Sequence, residues 1–133
     1  MAEAEILTKY RNVAVVGLSS DPLKPSRKVA VYLVDHGYNV IPVNPKATEI
    51  LGKKSYPSLS AVPEKVEIVD IFRRPEDVMP IVEEAIKVGA KVVWMQEGIV
   101  NEAAAQKARE AGLEVIMDKC IRRELMKLKH KRV

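Results

Sequence analysis

Six cations stand where an α/β sheet would meet an anion: Lys24, Arg27 and Lys28 around one helix start, Lys46 after a second strand, Arg73 and Arg74 after a third. Their common chemistry is phosphate recognition, because guanidinium and ammonium groups make charge-assisted hydrogen bonds to phosphoryl oxygens. Beside the first group, Val13-Ala-Val-Val-Gly17 runs into Leu18-Ser-Ser-Asp-Pro-Leu-Lys-Pro-Ser26. A buried strand there enters a proline-punctuated loop and then a helix, a junction that directs backbone N–H groups at a negative ligand. Any one of these cations is accounted for by loop solvation. Recurrence at three successive strand ends is what points to a ligand, one with a pyrophosphate and a further phosphate.

What is missing narrows the ligand. A dinucleotide fingerprint would read Gly-x-Gly-x-x-Gly, and only Gly17 is present. Strand two ends in Val43-Asn44-Pro45-Lys46, a cation where a carboxylate would hold a ribose diol. The phosphate loop Gly-x4-Gly-Lys-Ser/Thr is absent as well. No Ser/His/Asp set and no Cys/His cluster of metal-ligand spacing appears, so neither a catalytic centre nor a metal is expected. His36 and His130 read as structural, in a last helical turn and a basic tail, and Glu97 reads as a cap for the following helix. Cys120 follows the fifth strand and precedes a helix, beside Lys119, Arg122 and Arg123. Amide dipoles and positive charge there favour a thiolate; the competing reading is an inert, half-buried apolar residue.

The elements that must position these residues alternate. Asn12–Gly17 reads as a strand, Ser26–His36 as a helix with Ser26 as N-cap and Gly37 as C′ residue, and Asn39–Val43 as the second strand. Residues 46–65 read as loop with a short strand near Lys54–Tyr56. Val66–Phe72 is the third main strand, followed by a turn at 75–79 and a helix from Pro80 to Val88. Lys91–Met95, a capped helix Asn101–Ala111, Leu113–Met117 and a last helix from about Ile121 complete the chain. Val/Ile runs without polar alternation belong to strands covered on both faces. The class is therefore α/β: a three-layer Rossmann-like fold with a mainly parallel five-stranded sheet and helices on both faces. Its ligand rim lies beyond the strands' C-terminal ends.

Composition bounds the rest. With 133 residues, a single domain over 1–133 is expected. No apolar run is long enough to cross a bilayer, and the Met-Ala-Glu-Ala-Glu start has acid where a secretion signal needs base. A lone cysteine suits a reducing cytoplasm. Fourteen Lys and 13 Glu against two Gln lean toward a thermophile's composition. The net charge of +4 comes from residues 121–133, which hold six basic side chains and only Glu124 as acid. That segment has no aromatic residue to stack on bases, so a basic helix end is expected rather than a nucleic-acid reader.

Six segments in register resemble the small CoA-binding protein family: Val15–Ser20, Lys24-Pro25-Ser26, Val40–Pro45, Asp70–Val78, Val93–Ile99 and Asp118-Lys-Cys120. That family is similar to the N-terminal CoA-binding domain of the succinyl-CoA synthetase α subunit. The resemblance covers about residues 8–125 and implies coenzyme A, free or acylated, lying across the strand ends. It implies a phosphate turn of Gly17, Leu18 and Ser19 with Ser26, Arg27 and Lys28, and an adenosine side of Val43, Asn44, Pro45 and Lys46. Phe72, Arg73 and Val78 would meet the adenine or upper arm, and Met95, Gln96, Gly98 and Ile99 the pantetheine. A 3′-phosphate would explain a cation in place of the ribose carboxylate. The synthetase subunit continues into a domain whose histidine becomes phosphorylated, and this sequence has no counterpart. A non-catalytic binding module, monomer or homodimer, is expected, with a reversible Cys120–CoA disulfide as a further expectation. The alternatives are a synthetase subunit with a separate catalytic chain and a nicotinamide-binding redox sensor.

Overall fold

The computed structural model describes residues 2–131, so Arg132 of the basic tail lies outside the described residues, as does the His130 side chain. Five parallel strands form the sheet: β1 (Asn12–Val16), β2 (Asn39–Val43), β5 (Ile68–Ile71), β6 (Val92–Met95) and β7 (Glu114–Ile116), in the order β2-β1-β5-β6-β7. A two-stranded hairpin, β3 (Glu49–Ile50) with β4 (Lys53–Lys54), stands apart, and Tyr56 bridges to Val43. The short strand expected near Lys54–Tyr56 is thus a hairpin arm and one bridge.

Successive strand residues point to opposite faces, and each face has its own core. On one, Val13, Val15, Ile68 and Trp94 pack against α1 (Ala2–Lys9), α2 (Pro25–Asp35) and α5 (Ile121–Lys131). On the other, Ala14, Val16, Val69 and Met95 pack against α3 (Val78–Lys87) and α4 (Glu102–Glu110). These are the expected three layers. Among the described residues, no helix is long and apolar enough to cross a membrane.

The helix α1 has no counterpart in the sequence reading. Eight residues are too few for an isolated helix to hold in water. Its stability comes from Ile6 and Leu7, both essentially fully buried, which together contribute about 3–6 kcal/mol. Two expected helix starts move and one expected cap is not made. The helix α2 starts at Pro25, with Lys24 in the N-cap position and no side-chain cap. The helix α3 starts at Val78, two residues before Pro80, after a single 3-10 turn at Pro75–Asp77. Glu97 caps nothing: Asn101 is the N-cap of α4, accepting from the Ala104 amide at 3.0 Å, while Glu97 pairs with Arg123 at 2.7 Å.

Candidate functional site

The strand order reverses between β1 and β5, and the ends of those strands meet there. Gly17 leaves β1 at φ +89°, a region costly for any residue with a Cβ. A Cβ on Gly17 would lie 2.5 Å from the Phe72 carbonyl oxygen, so the two strand ends approach more closely than a side chain permits. A cleft of about 270 Å³ opens at this point, lined by Val16, Gly17, Val43, Pro45 and Arg73, with Pro57, Ser58 and the first turns of α3. Carboxylates of Glu76, Asp77 and Glu84 line it too, but each is engaged. Glu84 accepts from Ser60 Oγ at 2.8 Å, Asp77 from Arg74 at 3.0 Å, and Glu76 pairs with Arg74 at 3.8 Å. The Arg74 hydrogen bond, with Arg73 also nearby, holds the Asp77 carboxyl below its usual range. Arg73 stands 3.5 Å from that same carboxylate and remains half exposed.

The loop after β1 is fixed from within. Ser26 Oγ accepts from the Ser19 amide at 3.0 Å, Ser19 Oγ from the Asp21 amide at 3.0 Å, and Asp21 Oδ1 from the Leu23 amide at 2.9 Å. Asn44 donates to the Leu18 carbonyl at 2.9 Å and accepts from the Lys46 amide at 2.8 Å, joining the β1 and β2 loops. Ser26 is therefore buried within the first turn of α2 as a loop brace, not its N-cap. The amides of Ser20 and Ser26 donate to no described residue, and Ser20 is exposed, so its amide is open to an anion.

At the far end of the rim, Asp118 adopts φ +62° and accepts from the Gly98 amide at 2.6 Å, tying the loop after β6 to that after β7. Gln96 is buried, its Oε1 accepting from the Ile121 amide at 3.1 Å. Trp94 Nε1 donates to the Lys119 carbonyl at 2.8 Å. Cys120 is half-buried against the core on the α2/α5 side, and its carbonyl accepts from the Glu124 amide at the start of α5. Two of its three basic neighbours are engaged, Lys119 with Glu3 and Arg123 with Glu97.

The sequence-derived residues thus separate into groups. Gly17, Val43, Pro45 and Arg73 share the cleft; Ser19, Ser26 and Asn44 build the loop beside it; Lys46 follows, exposed and without an ion pair among the described residues. Leu18, Val78 and Met95 are completely buried, so they present neither side chain nor backbone to the rim. Phe72 packs partly into the core beneath α2, while Gly98 is exposed and Ile99 half-buried. Arg27 and Lys28 line a different pocket, against α5. Sequence reasoning passed over Asp70, on β5 between Val15 and Trp94 in register. Its carboxyl is fully buried with no partner for either oxygen, and burial raises its pKa well above the ordinary value. A lone acid in an apolar run was the available signal.

Known proteins share this architecture. Residues 11–126 match the family described as the CoA binding domain. The uncharacterized protein YneT of Bacillus subtilis is 44% identical over 118 residues, 89% of this chain and 87% of its own. The structure of a hypothetical protein from Pyrococcus horikoshii OT3 superimposes with a TM-score of 0.94 at 48% identity, covering 96% of this chain and 90% of that one. The alpha subunit of the ADP-forming acetate–CoA ligase I of Pyrococcus furiosus is 30% identical over 128 residues, 84% of this chain but only 28% of the subunit.

Proposed function

We propose that this chain, which belongs to the CoA binding domain family, holds coenzyme A or an acyl-CoA across the C-terminal ends of its sheet without a catalytic centre of its own. The observation that carries the reading is the cleft at the strand reversal, where Gly17 brings bare backbone against Phe72 beside Arg73. In this reading the adenosine enters that cleft and the pyrophosphate meets the amides of Ser20 and Ser26. Lys46 and Arg73 attract the 3′-phosphate. The pantetheine passes the backbone at Gly98 and Ile99 toward Cys120. The half-buried thiol at the start of α5 then forms a reversible disulfide with CoA, both thiols being oxidised by a disulfide such as oxidised glutathione. A gain of one CoA in mass, reversed by dithiothreitol and absent in Cys120→Ala, tests that step.

Calorimetric titration of CoA, dephospho-CoA and NAD under reducing conditions tests the main reading. Micromolar CoA binding that weakens about tenfold without the 3′-phosphate, ~1.4 kcal/mol, is expected, and Lys46→Gln should erase most of that difference. Absence of CoA binding, or equal binding of NAD, would overturn it. The likeness to a quarter of a ligase subunit supports a second reading, in which the domain serves a separate catalytic chain. Co-purification with a nucleotide-dependent ligase chain distinguishes the two.

A further inference from the structure

A second pocket, of about 310 Å³, lies between α2 and α5 on the opposite face of the sheet, and it shares no lining residue with the cleft. Three cations line it, Arg27, Lys28 and Arg122, against one carboxylate, Asp35. None of the three forms an ion pair with a described residue. Arg27 donates through Nη1 to the Ser20 carbonyl at 2.8 Å, yet its Nε–H is buried with no acceptor, and so is that of Arg122. The Arg122 guanidinium sits 5.4 Å from the centre of the Tyr32 ring, which itself stacks on His36 at 4.0 Å. An aromatic ring positions a guanidinium without neutralising it, so Arg122 keeps its full charge. Asp35 lies eight residues along α2 from Arg27, about 12 Å away, and leaves the rim end of the pocket cationic.

We infer that this pocket is an anion site for a phosphomonoester, separate from the CoA rim. Three cations that line one pocket without ion pairs gain charge-assisted hydrogen bonds from an entering oxyanion. A phosphate offers three terminal oxygens to three cations, whereas a single carboxylate leaves one cation unmatched. The remaining volume, toward Tyr32 and Asp35, receives the organic part.

The test is calorimetry with glycerol 3-phosphate as probe and acetate as comparator, with and without saturating CoA. Binding of glycerol 3-phosphate at about millimolar Kd, undisplaced by CoA and at least tenfold tighter than acetate, is expected. Arg122→Gln should weaken it about tenfold with CoA affinity unchanged, and Lys28→Gln, on the exposed side, severalfold. Lys46→Gln should leave it untouched. No binding at ~10 mM probe, displacement by CoA, loss in Lys46→Gln, or equal affinity for acetate would each overturn the proposal. Failure of CoA to bind would leave the probe titration readable, so the two readings fail separately.

Discussion

Replacing Asp70 by Asn should make the protein more stable at neutral pH, and increasingly so as pH rises. Asp70 sits at the centre of the sheet, fully buried, with neither carboxyl oxygen hydrogen-bonded. Desolvation raises its folded pKa well above that of an exposed aspartate, so the folded state keeps the proton after the unfolded chain has released it. A folded state that binds the extra proton loses stability as pH climbs, by about 1.4 kcal/mol per unit, from the unfolded pKa near 3.9 up to the folded one. Each pH unit by which the folded pKa exceeds the unfolded one therefore costs about 1.4 kcal/mol of stability above it. Asn has the same shape and no proton to release, but it carries two N–H donors that stay unpaired here, a penalty of about 1–3 kcal/mol. Asp70→Asn should equal or fall below the parent at pH 4 and gain on it by about 1.4 kcal/mol per pH unit above that, as far as the folded pKa of Asp70. Urea unfolding followed by Trp94 fluorescence reads this directly, because Trp94 is the sole tryptophan, fully buried, and Asp70's registered neighbour on β6. The other carboxylates titrate identically in both proteins, so the difference between the two curves isolates Asp70. Parallel curves from pH 4 to 8 would refute the reasoning and mean that Asp70 is ionised in the fold.

Two further substitutions probe the rim. Gly17→Ala should destabilise by about 2–3 kcal/mol in urea unfolding, because φ is +89° and the new Cβ would press on the Phe72 carbonyl; an unchanged midpoint would contradict the close approach. Gln96→Leu should cost about 1–3 kcal/mol by leaving the buried Ile121 amide without its acceptor, and hydrogen exchange at that amide should accelerate; wild-type protection there would contradict this role for the side chain.

The sheet was legible because a strand covered on both faces needs an unbroken apolar run, and Val13–Val16, Ile68–Ile71 and Val92–Met95 meet that need with only Asp70 intervening. The rim was legible from the same runs, since it consists of whatever follows them. Other features depended on tertiary contacts. The α1 segment, Ala-Glu-Ala-Glu-Ile-Leu-Thr-Lys, has only two large apolar residues and becomes a helix by burying them. Ser26 reads as a cap from sequence because a serine before an amphipathic run usually is one; here its hydroxyl is drawn to the Ser19 amide seven residues back. Arg27 and Arg73 look equivalent as cations near strand ends, and only the packing of α2 against α5 sends the first to a separate pocket.

That separation changes what the charges imply. A count of cations along the sequence suggests a single basic rim. In the fold, Arg73 is shared with Asp77, Arg74 with Asp77 and Glu76, Lys119 with Glu3, and Arg123 with Glu97. The Lys119 hydrogen bond keeps the Glu3 carboxyl below its usual range, so that pair contributes stability that is lost as pH falls. The sign is opposite to that of Asp70, whose contribution is lost as pH rises. Among the cations beside the two pockets, Lys46 at the cleft and Arg27, Lys28 and Arg122 in the second pocket form no ion pair with a described residue, and neither does Lys24 before α2. A ligand is selected by the charges a fold leaves uncompensated, because paired ones must first be separated from their partners. At the two pockets these uncompensated residues, more than the total of +4, are where an anion can gain binding energy.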